Sequence, residues 1–154
     1  MKKALYLIVP VLICLLTGFL GSLLQRESLE TWYPYLAKPP LTPPDSMFPI
    51  AWTLLYVCMG ISVGLILLSD SPRKQPLAVL FSVQLLLNFL WTFLFFYLRN
   101  PLAGLIDILL LDLLVFLYAW ESYPVKKASS VLFWPYLAWI LFATYLNGYI
   151  FLYN

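Results

Sequence analysis

Residues Trp32–Tyr56, WYPYLAKPPLTPPDSMFPIAWTLLY, form the one long polar-rich break between two apolar spans, and they are dense in aromatics and prolines. Pro34, Pro39, Pro40, Pro43, Pro44 and Pro49 each fix φ and remove a backbone donor, which keeps most of the segment out of regular helix and out of a central strand. A stiff, shaped loop results. Such a loop loses less entropy on closing over a ligand than a Gly/Ser connector does, so the segment reads as a lid, with loop boundaries at 27–47.

The flanks of this loop are more apolar than soluble domains allow. Of 154 residues, 63% are hydrophobic and 10% are charged, against roughly a quarter charged in soluble proteins. Runs of bilayer-spanning length fall at about residues 5–25, 48–68, 77–98, 102–120 and 131–152. Beyond the lid they are separated by SDSPRKQP, Arg99-Asn100-Pro101 and ESYPVKKASS. The expected fold is an all-α integral membrane protein, a single domain over 1–154 built as a bundle of five transmembrane helices. The first run continues through Gly18, Gly21 and Ser22 to Leu24 without a clear small-x-small cleavage site, so it is expected to stay as a helix and not to be removed as a signal peptide.

Five spans place Lys2, Lys3, Arg73, Lys74, Lys126 and Lys127 on the N-terminal side and Arg26, Lys38 and Arg99 on the other. The positive-inside rule then puts the N terminus in the cytoplasm, and the first loop and C terminus outside, for a multi-pass protein of the cell membrane. Trp32, Trp120 and Trp134 fall near span ends, where interfacial anchoring is expected, whereas Trp52, Trp91 and Trp139 sit deeper.

Composition also removes whole classes of function. A formal charge of +2, with no basic run interleaved with aromatics, gives nucleic acid no footing. The absence of histidine excludes Ser-His and Cys-His nucleophile pairs, HExxH zinc sites and histidine-ligated haem. No phosphate-binding glycine loop is present, and no metal or other cofactor is expected. Cys14 and Cys58 both lie in apolar runs, where a buried free thiol is the usual state.

Helical spacing gathers the deeper tryptophans into three faces. Trp52, Tyr56, Met59 and Val63 share one face of the second span; Gln84, Asn88, Trp91 and Phe95 share one of the third; Tyr136, Trp139, Ala143 and Asn147 share one of the fifth. A carboxamide facing lipid lacks partners, so Gln84, Asn88 and Asn147 are expected to point inward, either as interhelical glue or as the polar edge of a pocket. Their association with tryptophans beneath a rigid lid favours the pocket. Asp107 and Asp112 are the intramembrane carboxylates and so functional candidates. Lying about 140° apart on a helix, they do not form a catalytic dyad; one can pair with a neighbouring helix while the other reaches the pocket or stays protonated. Gly60-Ile-Ser-Val-Gly64 is a GxxxG element that serves either packing inside the bundle or a dimer seam.

These residues resemble the translocator protein and tryptophan-rich sensory protein family, TspO/MBR, also called the peripheral-type benzodiazepine receptor family, in its bacterial form. The resemblance rests on Trp32-Tyr33, Leu36, Lys38-Pro39 and Pro43-Pro44 in the lid, then Pro49, Trp52-Thr53, Leu55-Tyr56 and Met59-Gly60. It continues through Gln84-Leu85, Asn88, Trp91, Phe95-Phe96 and Asp107 to Pro135-Tyr136, Trp139, Phe142-Ala143, Leu146-Asn147 and Asn154.

The resemblance implies a five-helix membrane receptor or sensor, often a homodimer, that binds tetrapyrroles such as protoporphyrin IX and benzodiazepine-type drug ligands in a pocket under the first loop. The resemblance places the pocket among Tyr33, Trp52, Asn88, Trp91, Trp139, Ala143 and Asn147, and Tyr56, Gln84 and Tyr136 from the helical faces, with Asp107, complete the expected ligand-binding residues. Lys38 is a candidate partner for a propionate. Trp52 and Trp139 are implied to take part in light- and oxygen-dependent porphyrin degradation, without metal or nucleotide. The alternative is a transporter of porphyrin or another small hydrophobic molecule, although no internal repeat of the kind common in transporters is evident. No Lys or Arg follows Asn147, so the basic end of a sterol-recognition motif is missing.

Overall fold

A computed structural model of the chain describes residues 2–154; the Lys2 side chain, counted in the charge pattern above, lies outside that description. Five helices follow one another: α1 (Lys2–Thr31), α2 (Met47–Leu67), α3 (Lys74–Thr92), α4 (Pro101–Ser122) and α5 (Lys127–Tyr153). Each is long and apolar enough to cross a membrane, and no strand occurs among the described residues. The protein is a five-helix, multi-pass membrane bundle.

Helix ends follow local chemistry. α1 runs past the expected boundary to Thr31 because Arg26, Glu27, Leu29 and Glu30 are good helix formers and no breaker intervenes before Pro34. The connection to α2 is correspondingly shorter, and Tyr33–Tyr35 forms a 3₁₀ turn within it. Asn100 caps α4 by accepting from the Ala103 N–H at 3.0 Å, with Pro101 in the first turn. Pro10 and Pro135 lie inside α1 and α5, as membrane helices tolerate.

The third span does not end as a plain α-helix. Phe93–Tyr97 form a π turn, closed by the Leu98 N–H donating to the Phe93 carbonyl at 2.9 Å. Arg99 follows in the left-handed region, with φ 51°. Its guanidinium donates to Glu27 Oε1 at 2.9 Å and to Thr31 Oγ1 at 3.1 Å, while Ser28 Oγ donates to the Phe96 carbonyl. The irregular end of the third span is thus tied to the last turn of α1.

At the opposite end, α2, α4 and α5 are joined by hydroxyls. Ser62 donates to the Ser129 carbonyl at 2.8 Å, and the Tyr118 hydroxyl stands 3.3 Å from Ser62 Oγ. Ser130 donates to the Ala119 carbonyl at 2.6 Å.

The GxxxG element packs inside the chain. A Cβ on Gly60 would stand 2.4 Å from Val11 Cα, and one on Gly64 would stand 2.5 Å from the Tyr6 carbonyl oxygen. These glycines let the α2 backbone meet that of α1, so this face is already occupied within one subunit. Backbone cannot yield as a flexible side chain can. Gly60→Val is expected to destabilise the protein by about 1–3 kcal/mol or more, the usual cost of overpacking. Thermal unfolding in detergent checks this; an unchanged midpoint would mean that α1 can move away freely.

Candidate functional site

The buried amides form one chain of hydrogen bonds with two phenols. Tyr56 on α2 donates to Asn88 Oδ1 at 2.7 Å, Asn88 Nδ2 on α3 donates to the Tyr136 hydroxyl at 3.0 Å, and Tyr136 on α5 donates to Gln84 Oε1 at 3.1 Å. Gln84 and Asn88 reach the same partner because they lie four residues apart on one helix face. Gln84 and Tyr136 are wholly inaccessible to solvent, and Tyr56 and Asn88 are buried. Among the described residues, Gln84 Nε2 has no partner, and it is the unmet donor of this hydrogen-bond network.

Indoles enclose the lid-side flank of the network. Trp52 stacks on Tyr56, with centroids 5.6 Å apart, and meets Tyr136 at 6.3 Å. Its other neighbours are Trp91 and Trp139, each at 6.5 Å, the latter nearly perpendicular at 86°. Trp91 donates through Nε1 to Asn147 Oδ1 at 3.0 Å, and Asn147 Nδ2 donates to the Pro101 carbonyl at 2.8 Å. Gly104 admits that amide, since a Cβ there would lie 3.0 Å from Asn147 Oδ1. Ala143 is buried one turn before Asn147.

Tyr33 belongs to a second, smaller cluster with Phe95, Phe96 and Ile150. Its ring lies 5.6 Å from that of Phe96. Trp91 joins the two clusters, stacking on Phe95 at 5.5 Å and meeting Phe96 edge-on at 5.7 Å. The π turn is what holds these consecutive phenylalanines inward. Trp32, just past the end of α1, packs edge-on against Phe95 at 5.6 Å and helps to seat the lid. Lys38 Nζ stands 4.5 Å from the centre of the Tyr33 ring, a cation–π contact. Burial, and secondarily the Asp45 charge, push the Tyr33 phenol up to about 12, so the lid presents a neutral hydroxyl here.

The two aspartates separate as their spacing requires. Asp112 Oδ2 accepts from Thr144 Oγ1 on α5 at 2.8 Å, making it the carboxylate paired with a neighbouring helix. Asp107 is buried with Oδ2 unpartnered among the described residues, and no hydrogen bond ties it to the other candidate residues. An apolar groove of about 500 Å³ runs elsewhere, along α1, α2 and α3, lined in part by Ile13, Thr17, Val63, Phe81 and Leu85. None of the candidate residues lines it. Lacking convergent polar groups, it reads as lipid-facing surface, and the aromatic and amide cluster is the better candidate.

Two contributors escaped the sequence reading. Phe48 meets Trp139 edge-on at 6.0 Å, although its position at a span boundary gave no helical register. Gly18 makes room for Tyr56, since a Cβ there would lie 2.3 Å from Cε2 of that ring. A glycine in an apolar span was its only signal.

Residues 10–153 match the TspO/MBR family. A tryptophan-rich protein TspO of Archaeoglobus fulgidus is 45% identical over 148 residues, covering 96% of this chain and 96% of the relative. A tryptophan-rich sensory protein of Cereibacter sphaeroides is 35% identical over 127 residues, covering 82% and 77% respectively. The translocator protein of Bos taurus is 35% identical over 135 residues, covering 86% and 80%.

Gly18→Ala is expected to displace the Tyr56 ring and lower stability by about 1–3 kcal/mol. In a Tyr56→Ala background the same change should cost little, because the clash is gone. Thermal unfolding of the four proteins measures that coupling, and additive losses would show that Gly18 does not act through Tyr56.

Proposed function

This chain belongs to the TspO/MBR family, and from that premise we propose that it is a membrane receptor and sensor that binds tetrapyrroles, protoporphyrin IX in particular, and benzodiazepine-type drug ligands. The supporting observation is Trp52, ringed by Tyr56, Trp91, Tyr136 and Trp139 over a buried amide chain. A flat macrocycle gains by stacking on indole and phenol rings, and an acceptor on its edge would find the free Gln84 Nε2 donor. Tyr33, Asn88, Asp107, Ala143 and Asn147 complete the proposed site, and Lys38 is placed by this reading to meet a propionate on leaving the Tyr33 ring. The proposed setting is the cell membrane with the N terminus cytoplasmic and the lid outside. The proposed assembly is a homodimer through the lipid-facing side of α1, the least buried of the five helices.

The reading extends to chemistry. Under illumination the excited porphyrin takes one electron from the indole of Trp52 or Trp139, the resulting indole radical cation loses its N–H proton to water, and molecular oxygen accepts the electron from the reduced macrocycle. Superoxide and an indole radical are then left beside the ring to attack it. An indole serves here because histidine is absent and Asp107 and Asp112 do not converge.

Trp52→Ala and Asn88→Ala are each expected to weaken protoporphyrin binding severalfold, since a lost stacking surface or amide partner costs on the order of 1 kcal/mol. Fluorescence titration checks this, and unchanged curves for both folded variants would remove the site. Trp52→Phe and Trp139→Phe, which keep much of the stacking surface, are expected to slow illuminated decay at saturating porphyrin. Wild-type decay in both would leave the indoles as binding residues only. Porphyrin flux across sealed vesicles, lost on changing Trp52 or Asn88, would instead favour the transporter.

A further inference from the structure

The lid is held by a side chain from the far end of the chain, 117 residues away in sequence. Ala37 N–H donates to Asn154 Oδ1 at 2.9 Å, and Asn154 Nδ2 donates back to the Ala37 carbonyl at 3.2 Å. The same Nδ2 also donates to the Ile150 carbonyl at 2.9 Å, which fixes the amide against the last turn of α5. One carboxamide thus engages both backbone groups of a single lid residue, a pairing that an ionised carboxylate, which only accepts, cannot reproduce.

The position of this contact gives it leverage. Ala37 lies between Leu36, which packs on the small aromatic cluster, and Lys38, whose ammonium lies over the Tyr33 ring. Ile150, the residue that orients the amide, is itself a buried member of that cluster. Beyond Ala37 the lid is stiffened by Pro39, Pro40, Pro43 and Pro44, so release at one point swings a rigid segment and does not merely loosen a coil. The backbone hydrogen bonds of the lid are local turns: Tyr35 N–H to Trp32, Leu36 N–H to Tyr33, Thr42 N–H to Pro39, and Met47 N–H, at the start of α2, to Pro44. None of them ties Ala37 or the proline run after it to α5.

We propose that Asn154 is a positioning residue that clasps the lid shut, seating Tyr33 and Leu36 on the aromatic cluster that Trp91 joins, and that breaking its two bonds to Ala37 is the step that opens the ligand site. The gating half of this rests on the ligand-site reading above; the clasp itself does not. The bonds lie at an exposed edge, so they exchange with water readily and suit a contact that must open repeatedly.

The experiment uses the full chain in lipid nanodiscs, with Asn154→Ala and Asn154→Asp beside wild type. Hydrogen exchange at the Ala37 amide is measured without ligand, and stopped-flow fluorescence follows protoporphyrin entry and exit. Asn154→Ala is expected to speed Ala37 exchange and to raise both entry and exit rates severalfold, up to about tenfold for two hydrogen bonds, with Kd moving less than either rate. Asn154→Asp keeps the acceptor and loses the donor, so it should fall between the two. Ala37 exchange unchanged in Asn154→Ala overturns the clasp, whether or not porphyrin binds. Faster exchange with unchanged entry and exit of bound porphyrin overturns its role in opening. If wild type binds no porphyrin, the ligand-site reading fails, and the exchange comparison still decides the clasp.

Discussion

A polar group inside a bilayer must find its partner within the protein, because lipid offers none. That constraint fixes the interior of this bundle. Gln84, Asn88 and Asn147 cannot rotate outward without losing every partner, so the faces that carry them must converge, and the indoles at the same helical spacing converge with them. The same demand at the opposite end gathers Ser62, Tyr118 and Ser129 from three helices. Hydrophobicity keeps the helices in the membrane, and hydrogen bonding decides which way they face.

Between helices surrounded by lipid, close approach substitutes for the hydrophobic drive that water supplies to soluble cores. Gly60 and Gly64 bring the backbones of α1 and α2 together, Gly18 lets α1 lie over the Tyr56 ring, and Gly104 admits the Asn147 amide. These contacts are structural supports of the aromatic cluster as much as of the fold. Moving α1 away from Gly60 would also free Tyr56, and with it one end of the chain that runs to Gln84.

Much of this was legible in the sequence, for identifiable reasons. Span number came from bilayer length, and the inward faces came from a period of 3.6 residues applied to Trp, Asn and Gln, of which the carboxamides carry a clear cost in lipid. Element ends were less legible. α1 runs on to Thr31 because a window of hydropathy stops at the first charges, whereas a helix continues through Arg26-Glu27 until a breaker arrives. The π turn at Phe93–Tyr97 left no local signal, since it depends on Arg99 and Ser28 bonding across to another element. Tyr33, grouped with the tryptophans by the family resemblance and not by periodicity, sits in a neighbouring cluster for the same reason: the path of a loop depends on contacts that periodicity does not encode. Asp107 and Asp112 could be separated by angle but not assigned, because Thr144 becomes the partner only once α4 and α5 are docked.

The two buried polar networks differ in completeness, and that difference has a physical consequence. The hydroxyls of Ser62, Tyr118, Ser129 and Ser130 all have partners, so nothing polar that enters there has an unmet bond to satisfy. Nearer the lid, the amide and phenol network ends on Gln84 Nε2, which is buried without a partner among the described residues. An unmet buried donor costs more than an ordinary hydrogen bond contributes, so a guest that brings an acceptor relieves a cost that the empty protein carries. A partly satisfied network is also less rigid than a complete one, because its members have alternatives of nearly equal energy. The fully partnered hydroxyls therefore lie at the serine-rich end, and the unmet donor lies toward the tryptophan-rich end.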